Sequence, residues 1–358
     1  MDVAKGPEAT AFAVPGVRGL DPARRRLAHL ITWSWVEAGP ELVEPHTDPL
    51  AVVPFIDPSA CQFYWELHFQ GARLVNTDFI HRAALSPPDP CAAAPSPDPI
   101  LEALRDWYAG EGAGLCHAST WLELDGPLDG STPERRQGVS ICVDPQFCTP
   151  AAGNPEFTQR PPSEMRFLLA SLQRTCGGGD PADLPTLGRV RDAVVGCGGF
   201  MRHLSVMRSR PERPSKIYVT VPKAALPRLL DDIDWQGDRR AVCALAATGC
   251  AASTHANLDF EIRGGRLPRV GMELMSDPSP ADDPLRRIGL EHALESGLLT
   301  RAQAHALQQW VRPFRIVLDN DQWPTRGRRW LDLKFVEHAH RPRELKAYLG
   351  FRLHQGIF

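Results

Sequence analysis

The sequence contains few lysines and few tyrosines, and it has no long apolar run. Of its 40 basic residues only five are lysine, and tyrosine occurs four times in 358 residues. No stretch approaches the roughly 20 apolar residues that a membrane-spanning helix needs, and the first residues lack the apolar core of a secretory signal. We therefore expect a cytoplasmic protein that does not enter a membrane.

Two further absences narrow the class of function. The nine cysteines are scattered and never occur in Cys-x-x-Cys spacing, which favours reduced thiols over disulfides or a zinc site. The 40 basic and 43 acidic residues nearly balance, so the chain has no long-range field that attracts nucleic acid or an anionic membrane. With 43% hydrophobic and 23% charged residues the chain is expected to fold, and any anion site must be local.

The sequence does contain a helix signal followed by two paired strands, five times along the chain. Asp-Pro pairs at Asp21, Asp98 and Asp283 each combine an N-cap with a proline at the first helical position. The strands alternate apolar and polar residues, which is typical of a sheet with one covered face, and turns such as Gly264-Gly265 join them. The pattern predicts an α+β fold of five helix-hairpin units.

Ten antiparallel strands of this kind are expected to close into a barrel with the amphipathic helices outside. Closure removes exposed edges, and a barrel of this size is wide enough for a ligand. The alternative that the spacing also allows is an open two-layer sheet whose polar face meets solvent. We interpret residues 21–358 as a single domain of this repeat, because the proline-rich segments separate no regions of different composition, and residues 1–20 as a flexible N-terminal segment.

The scarce residue types are concentrated on the polar faces of the strands. Lys216 and Tyr218 form a Lys-x-Tyr pair in one unit, Lys346 and Tyr348 form another, and Lys334 shares a polar face with Asp332. Ammonium groups and phenols that converge on one face are suited to hold a charged group such as a diphosphate. The alternative is a buried salt-bridge network in which these bases neutralise Glu66, Glu123, Asp125, Asp259, Glu261, Glu273 and Asp332.

Five helix-plus-hairpin units with an inward Lys, Tyr and Arg set resemble the ABBA prenyltransferases. The cyanobactin type, which modifies peptides, is nearest in appearance. The similarity covers most of residues 20–358 and is clearest in LSVMRSRPERPSKIYVTV and LDFEIRGGRLPRVGMELM. The resemblance implies a bacterial enzyme that transfers an isoprenyl group from its diphosphate to a peptide side chain or a small aromatic acceptor, as in the modification of ribosomal peptides.

The resemblance also implies roles for individual residues. It assigns the diphosphate to Lys216, Tyr218, Lys334, Lys346, Tyr348 and Arg352. The glutamate that accepts or orients the acceptor's proton is Glu123, with Glu66 as the second candidate. The wall around the prenyl group and the acceptor is expected to include Tyr64, Trp121, Met207, Glu273 and Met275. No cofactor is required, although Asp259 and Glu261 are suited to hold Mg²⁺ against the diphosphate.

Two other functions remain open at this stage. The same pattern of helices and strands is compatible with a non-catalytic barrel that binds a peptide as a scaffold, and side chains blocking the lumen would favour that function. A non-haem iron oxygenase is a third possibility, because His46 and Asp48 form the first half of a two-histidine, one-carboxylate site. His338 or His340 would then supply the third ligand.

Overall fold

The computed structural model describes residues 10–11, 20–43, 48–56, 60, 62–83, 99–111, 120–126, 137–142, 162–177, 179–208, 210, 212–249, 253–275, 283–317 and 325–353. These residues form eight α-helices: α1 (Pro22–Ala38), α2 (Pro99–Ala109), α3 (Pro162–Cys176), α4 (Asp183–Gly196), α5 (Leu226–Asp232), α6 (Arg239–Gly249), α7 (Pro284–Glu295) and α8 (Arg301–Trp310). Short 3₁₀ helices occur at Pro49–Phe55 and Lys223–Ala225. None of the described helices is long and apolar enough to cross a membrane.

The described residues also form twelve strands: β1 (Thr10–Ala11), β2 (Gln62–Gln70), β3 (Arg73–Ala83), β4 (Thr120–Leu124), β5 (Gln137–Cys142), β6 (Phe200–Met207), β7 (Ser215–Pro222), β8 (His255–Arg263), β9 (Arg266–Leu274), β10 (Pro313–Val317), β11 (Thr325–His338) and β12 (Glu344–Leu353). From β2 to β9 each strand pairs antiparallel with the next. The circle closes because β9 pairs with β11, β11 with β12, and β12 with β2. The predicted barrel of ten antiparallel strands in five hairpins is therefore confirmed.

The local signals for helix starts and turns act as the sequence predicts. The side chain of Asp21 accepts a hydrogen bond from the Arg24 amide at 3.1 Å, and Asp283 accepts one from the Leu285 amide at 2.9 Å. Asp98 lies outside the described residues. The β8–β9 hairpin turns at Gly264 and Gly265, which adopt φ of +54° and +76°, a conformation that costs glycine little.

The apolar face of the barrel wall packs beneath the helices. On β12, Leu345, Ala347, Leu349 and Phe351 are fully buried, and the ring of Phe351 stacks on Phe63 of β2 at 5.2 Å. Burying a leucine or phenylalanine side chain in this way contributes about 1.5–3 kcal/mol. The alternate residues of each strand must therefore face the lumen, which is how the polar side chains come together.

Strand β11 extends beyond the barrel, a feature that the repeat pattern does not predict. Its residues 333–338 pair with β9, whereas residues 325–328 pair with β10. Strand β1, which lies within residues 1–20, pairs parallel with β10. Strand β10, residues 325–328 of β11 and the residues of β12 opposite them continue the sheet past the end of β9. We call this part the sheet extension.

Candidate active site in the barrel lumen

The polar faces of the strands line a lumen. Lys216, Lys334 and Lys346 are 2%, 3% and 2% exposed, although each stands on a polar strand face. An open sheet whose polar face met solvent would leave long ammonium side chains exposed, because lysine is almost never fully buried without a partner. The burial of all three excludes the open-sheet alternative.

The lumen contains two chambers along its axis. The mouth chamber, of about 620 Å³, opens at the end of the barrel where the hairpin turns lie, and residues of those turns such as Arg210 and Arg341 line it. The aromatic chamber, of about 180 Å³, lies farther toward the opposite end and is lined by Tyr64, Trp121, Tyr218 and Tyr348. A ligand with a polar head and a small apolar tail would match this division.

The mouth chamber carries an excess of positive charge. Its lining includes four carboxylates, Asp78, Asp125, Glu261 and Glu344, against five permanent cations, Arg210, Arg263, Arg269, Arg341 and Lys346. His68 adds a further positive charge. Burial and the nearby Lys346 lower the pKa of His68, but Asp78 at 2.8 Å and Glu344 at 3.0 Å outweigh them and raise it to about 10. This chamber is therefore suited to an anion.

The aromatic chamber carries the opposite excess. Its lining includes four carboxylates, Glu66, Glu123, Glu273 and Asp332, against only two permanent cations, Arg202 and Lys334. His203 also lines this chamber but is neutral, since burial and the adjacent Arg202 lower its pKa to about 3. Carboxylates and aromatic faces around an apolar cavity are suited to stabilise a positive charge.

Two ion pairs connect the chambers. Lys346, in the mouth chamber, forms a close pair with Glu66, in the aromatic chamber, and the Tyr348 hydroxyl donates to the same Glu66 oxygen at 3.2 Å. In parallel, the Arg210 guanidinium lies 2.8 Å from Glu123. Burial raises the pKa of Glu66, but Lys346 and His68 outweigh it and hold that pKa well below its usual range.

Lys334 shows that the aromatic chamber accepts a cation. Its Nζ lies 5.0 Å from the ring centroid of Tyr218 and 5.3 Å from that of Tyr348, within the range of cation–π contacts. The same ammonium is 3.2 Å from Asp259 and 2.9 Å from Glu273. Lys334 is thus neutralised within the wall, which leaves its charge less available to a diphosphate than that of Lys346.

The structure brings most of the predicted site residues together. All five predicted wall residues, Tyr64, Trp121, Met207, Glu273 and Met275, line the aromatic chamber with both candidate bases, Glu66 and Glu123. Lys216 is in the lining of neither chamber; it is buried 3.7 Å from Glu123, and burial and Arg210 lower its pKa to about 8. Arg352 is not brought to them: it is exposed, and six residues of extended chain, about 20 Å, separate it from Lys346.

The predicted Mg²⁺ pair is occupied by side-chain cations. Glu261 contacts Arg210 at 3.3 Å, Arg263 at 2.7 Å and Arg269 at 2.8 Å, while Asp259 contacts Lys334. The described groups with metal-compatible spacing are instead Glu66, His68 and Asp78, and Asp78, Glu123 and Asp125. Lys346, protonated His68 and Arg210 already neutralise these carboxylates, so we assign no metal to them.

Of the residues suggested for an iron site, Asp48, His338 and His340 lie within the described part of the chain. Asp48 accepts a hydrogen bond from the Leu50 amide at 2.9 Å and caps the first 3₁₀ helix. His338 lies 3.4 Å from Glu344 in the mouth chamber, which His340 also lines. His46 lies outside the described residues.

Several lumen residues were not recognised in the sequence. His68 stands two residues after Glu66, and Arg269 stands two residues before Gly271. The alternation of the sequence therefore already places both on polar strand faces. Arg202 stands beside a bulge between Met201 and His203, where the alternation is interrupted. Arg210 belongs to the turn between β6 and β7, where no strand pattern applies.

A solved structure shares this fold, and a second one aligns with the chain less closely. The structure of NotF in complex with brevianamide F and dimethylallyl thiolodiphosphate (DMSPP) aligns with a TM-score of 0.56. The identity is 14%, over 94% of this chain and 96% of that chain. The 5-dimethylallyltryptophan synthase of Streptomyces coelicolor aligns with a TM-score of 0.46 at 13% identity over 91% and 95%. A scan against protein-family models and a search of curated proteins found no match. The closed barrel and the alignment with NotF show that the chain has the barrel fold of the ABBA prenyltransferases.

Proposed function

We propose that this protein is a prenyltransferase that moves an isoprenyl group from its diphosphate to an aromatic or peptide acceptor. The observation that carries the proposal is the separation of charge along the lumen. Ionisation of an allylic diphosphate creates an anionic leaving group and a carbocation, and each is stabilised by preorganised charge of the opposite sign. The cationic mouth chamber suits the first, and the acidic aromatic chamber suits the second.

The donor lies across the boundary between the chambers. Lys346, Lys216 and Arg210 hold the diphosphate, and Arg269 on the mouth side contributes a planar fork that matches phosphate oxygens. Tyr218 and Tyr348 serve as the wall around the allyl group, with Lys334 fixed between their rings. A cavity of about 180 Å³ is below the usual size of drug-ligand sites, about 300–1,000 Å³, and favours a short isoprenyl group.

The acceptor loses its proton to Glu123. Its Oε1 is bound by Arg210 at 2.8 Å, whereas its Oε2 has the more distant Lys216 at 3.7 Å, so one oxygen remains available to a substrate. Glu66 is a poor base, because Lys346 and His68 contact its carboxylate and hold its pKa well below the usual range. The buried position of both acids limits contact of the carbocation with water.

The test is an assay with dimethylallyl diphosphate and a panel of aromatic amino acids and short aromatic peptides. Prenylated products are detected by mass spectrometry, and binding of dimethylallyl thiolodiphosphate is measured by calorimetry. The test variant is Lys346→Met, in the lumen, and its matched control is Lys223→Met, in the 3₁₀ helix after β7. Peptide binding without donor binding or product would favour the scaffold and refute the transferase.

A further inference from the structure

The sheet extension carries four arginines on one face. In the β10–β11 pair Arg315 stands directly opposite Arg326, and in the β11–β12 pair Arg328 stands directly opposite Arg352. Side chains of directly opposite residues project from the same face of a sheet, and residues two apart on a strand share that face. We call Arg315, Arg326, Arg328 and Arg352 the arginine patch.

The patch is on the uncovered side of the extension. On the other side Phe314 and Ile316 are buried, and the Phe314 ring packs against Trp33 of α1 at 4.5 Å. Arg326, Arg328 and Arg352 are exposed. Along β11 the same face continues through Trp330 and Asp332 into the lumen, so the patch adjoins the aromatic chamber.

Among the described residues, two of the four patch arginines lack the kind of ion pair that their neighbours on the covered side make. Arg312 and Arg329 contact Glu37 at 2.9 and 3.0 Å on the covered side. Within the part of the chain that the structure describes, Arg328 and Arg352 have no such carboxylate. Like charges directly opposite each other destabilise a sheet, so the arrangement is explained best by an anionic partner.

The geometry of the patch favours several separate carboxylates over one diphosphate. The four arginines are spread over three strands, about 10 Å across, and over about 7 Å along β11. A single diphosphate would satisfy at most the Arg328 and Arg352 pair, whereas an extended acidic segment can offer carboxylates to this pair and to Arg315 as well.

We propose that the arginine patch docks an acidic segment of a peptide acceptor, whose aromatic side chain then enters the aromatic chamber. Arg328 is two residues, about 7 Å, from Trp330. Gln62, directly opposite Arg352, donates to the Tyr64 hydroxyl of the chamber wall at 3.1 Å. The carboxylates of the aromatic chamber repel the acidic segment, which fixes the direction of entry. The term acceptor rests on the proposed transferase function, whereas the docking itself does not.

The experiment measures fluorescence anisotropy of a fluorescein-labelled peptide with three glutamates, a glycine and a tryptophan, and of its glutamine counterpart. We expect the glutamate peptide to bind more tightly, with affinity that falls as salt is raised. The variant Arg328→Gln/Arg352→Gln should lose about tenfold in affinity, because it removes two exposed ion pairs. The matched control, Arg240→Gln/Arg301→Gln, removes two exposed helix arginines and should bind as the parent does.

Equal affinity for the two peptides, or equal losses in both variants, would overturn the proposal. Binding of dimethylallyl thiolodiphosphate is measured on the same proteins to separate this inference from the proposed function. Loss of donor binding in the patch variant would make the patch a diphosphate site and also overturn the docking proposal. Patch-dependent peptide binding without any prenyl transfer would leave the docking intact and refute the transferase.

Discussion

Replacing Lys346 with methionine tests the donor site and the salt-bridge network at once. The side chains of Lys346 and Glu66 are each 2% exposed, and removing one partner of a buried pair costs about 3–5 kcal/mol. His68 remains 3.3 Å from Glu66, so we expect the lower end of that range. An unfolding entropy of about 2.1 cal/mol/K per residue gives roughly 0.75 kcal/mol/K for 358 residues. The midpoint of thermal unfolding should therefore fall by roughly 4 °C.

Donor affinity in the same variant tests the proposed role of Lys346 in binding the diphosphate. Loss of a charge-assisted hydrogen bond to the diphosphate should weaken binding by about 1.5–3 kcal/mol, roughly 10- to 150-fold in Kd. Calorimetry with dimethylallyl thiolodiphosphate gives this value, and thermal unfolding gives the stability. Lys223→Met, outside the barrel, should leave donor affinity unchanged.

The double variant Lys346→Met/Glu66→Gln separates the two roles. It removes both charges, so most of the lost stability should return, because no carboxylate is left without its partner. Donor affinity should not return, since the ammonium is still missing. If the double variant binds the donor as tightly as the parent protein does, Lys346 serves only the internal network and the donor assignment is refuted.

Three further predictions concern other parts of the lumen. Glu123→Gln should lower turnover by about 10²–10⁴-fold with donor affinity unchanged, as measured by product formation and calorimetry, and undiminished turnover would exclude Glu123 as the base. The pKa of His68 is raised from about 6.5 in the unfolded chain to about 10, so the stabilisation is complete below pH 6.5 and is lost as pH rises toward 10. The difference in thermal midpoint between the parent and His68→Gln should shrink across that interval, and a constant difference would contradict the assignment. A Cβ at Gly350 would lie 2.2 Å from the Trp330 ring, so Gly350→Val should displace the indole and weaken binding of the dimethylallyl analogue more than that of inorganic pyrophosphate. Equal losses for both ligands would contradict this.

The barrel was predictable because its signals are local and repeated. Alternation along each strand distinguishes the covered face from the inner face, and the structure places the residues of both Lys-x-Tyr pairs in the barrel wall as that alternation requires. The N-caps at Asp21 and Asp283 and the turn at Gly264 depend only on neighbouring residues, which is why they hold in the structure.

Depth along the barrel axis was not predictable from the same signals. The alternation along β12 places Arg352 and Lys346 on the same face of the strand. It does not say how far along the barrel axis each one lies, and the two residues are about 20 Å apart. The Lys346–Glu66 pair joins residues 280 positions apart and depends on the register with which β12 meets β2. The change of neighbour along β11, from β10 to β9, leaves no mark in a strand that alternates throughout.

The cations of the lumen form ion pairs with carboxylates, and these pairs are compatible with the proposed donor site. A barrel lined with unpaired lysines and arginines would bear the full penalty of buried charge, whereas carboxylates such as Glu66 and Glu123 neutralise these cations. A diphosphate that enters the mouth chamber competes with those carboxylates for Lys346 and Arg210. The carboxylates that it releases line the aromatic chamber. In the proposed reaction this is where the carbocation forms and the acceptor loses its proton. The same ion pairs that neutralise the barrel interior would thus supply the charges that each half of the proposed reaction requires.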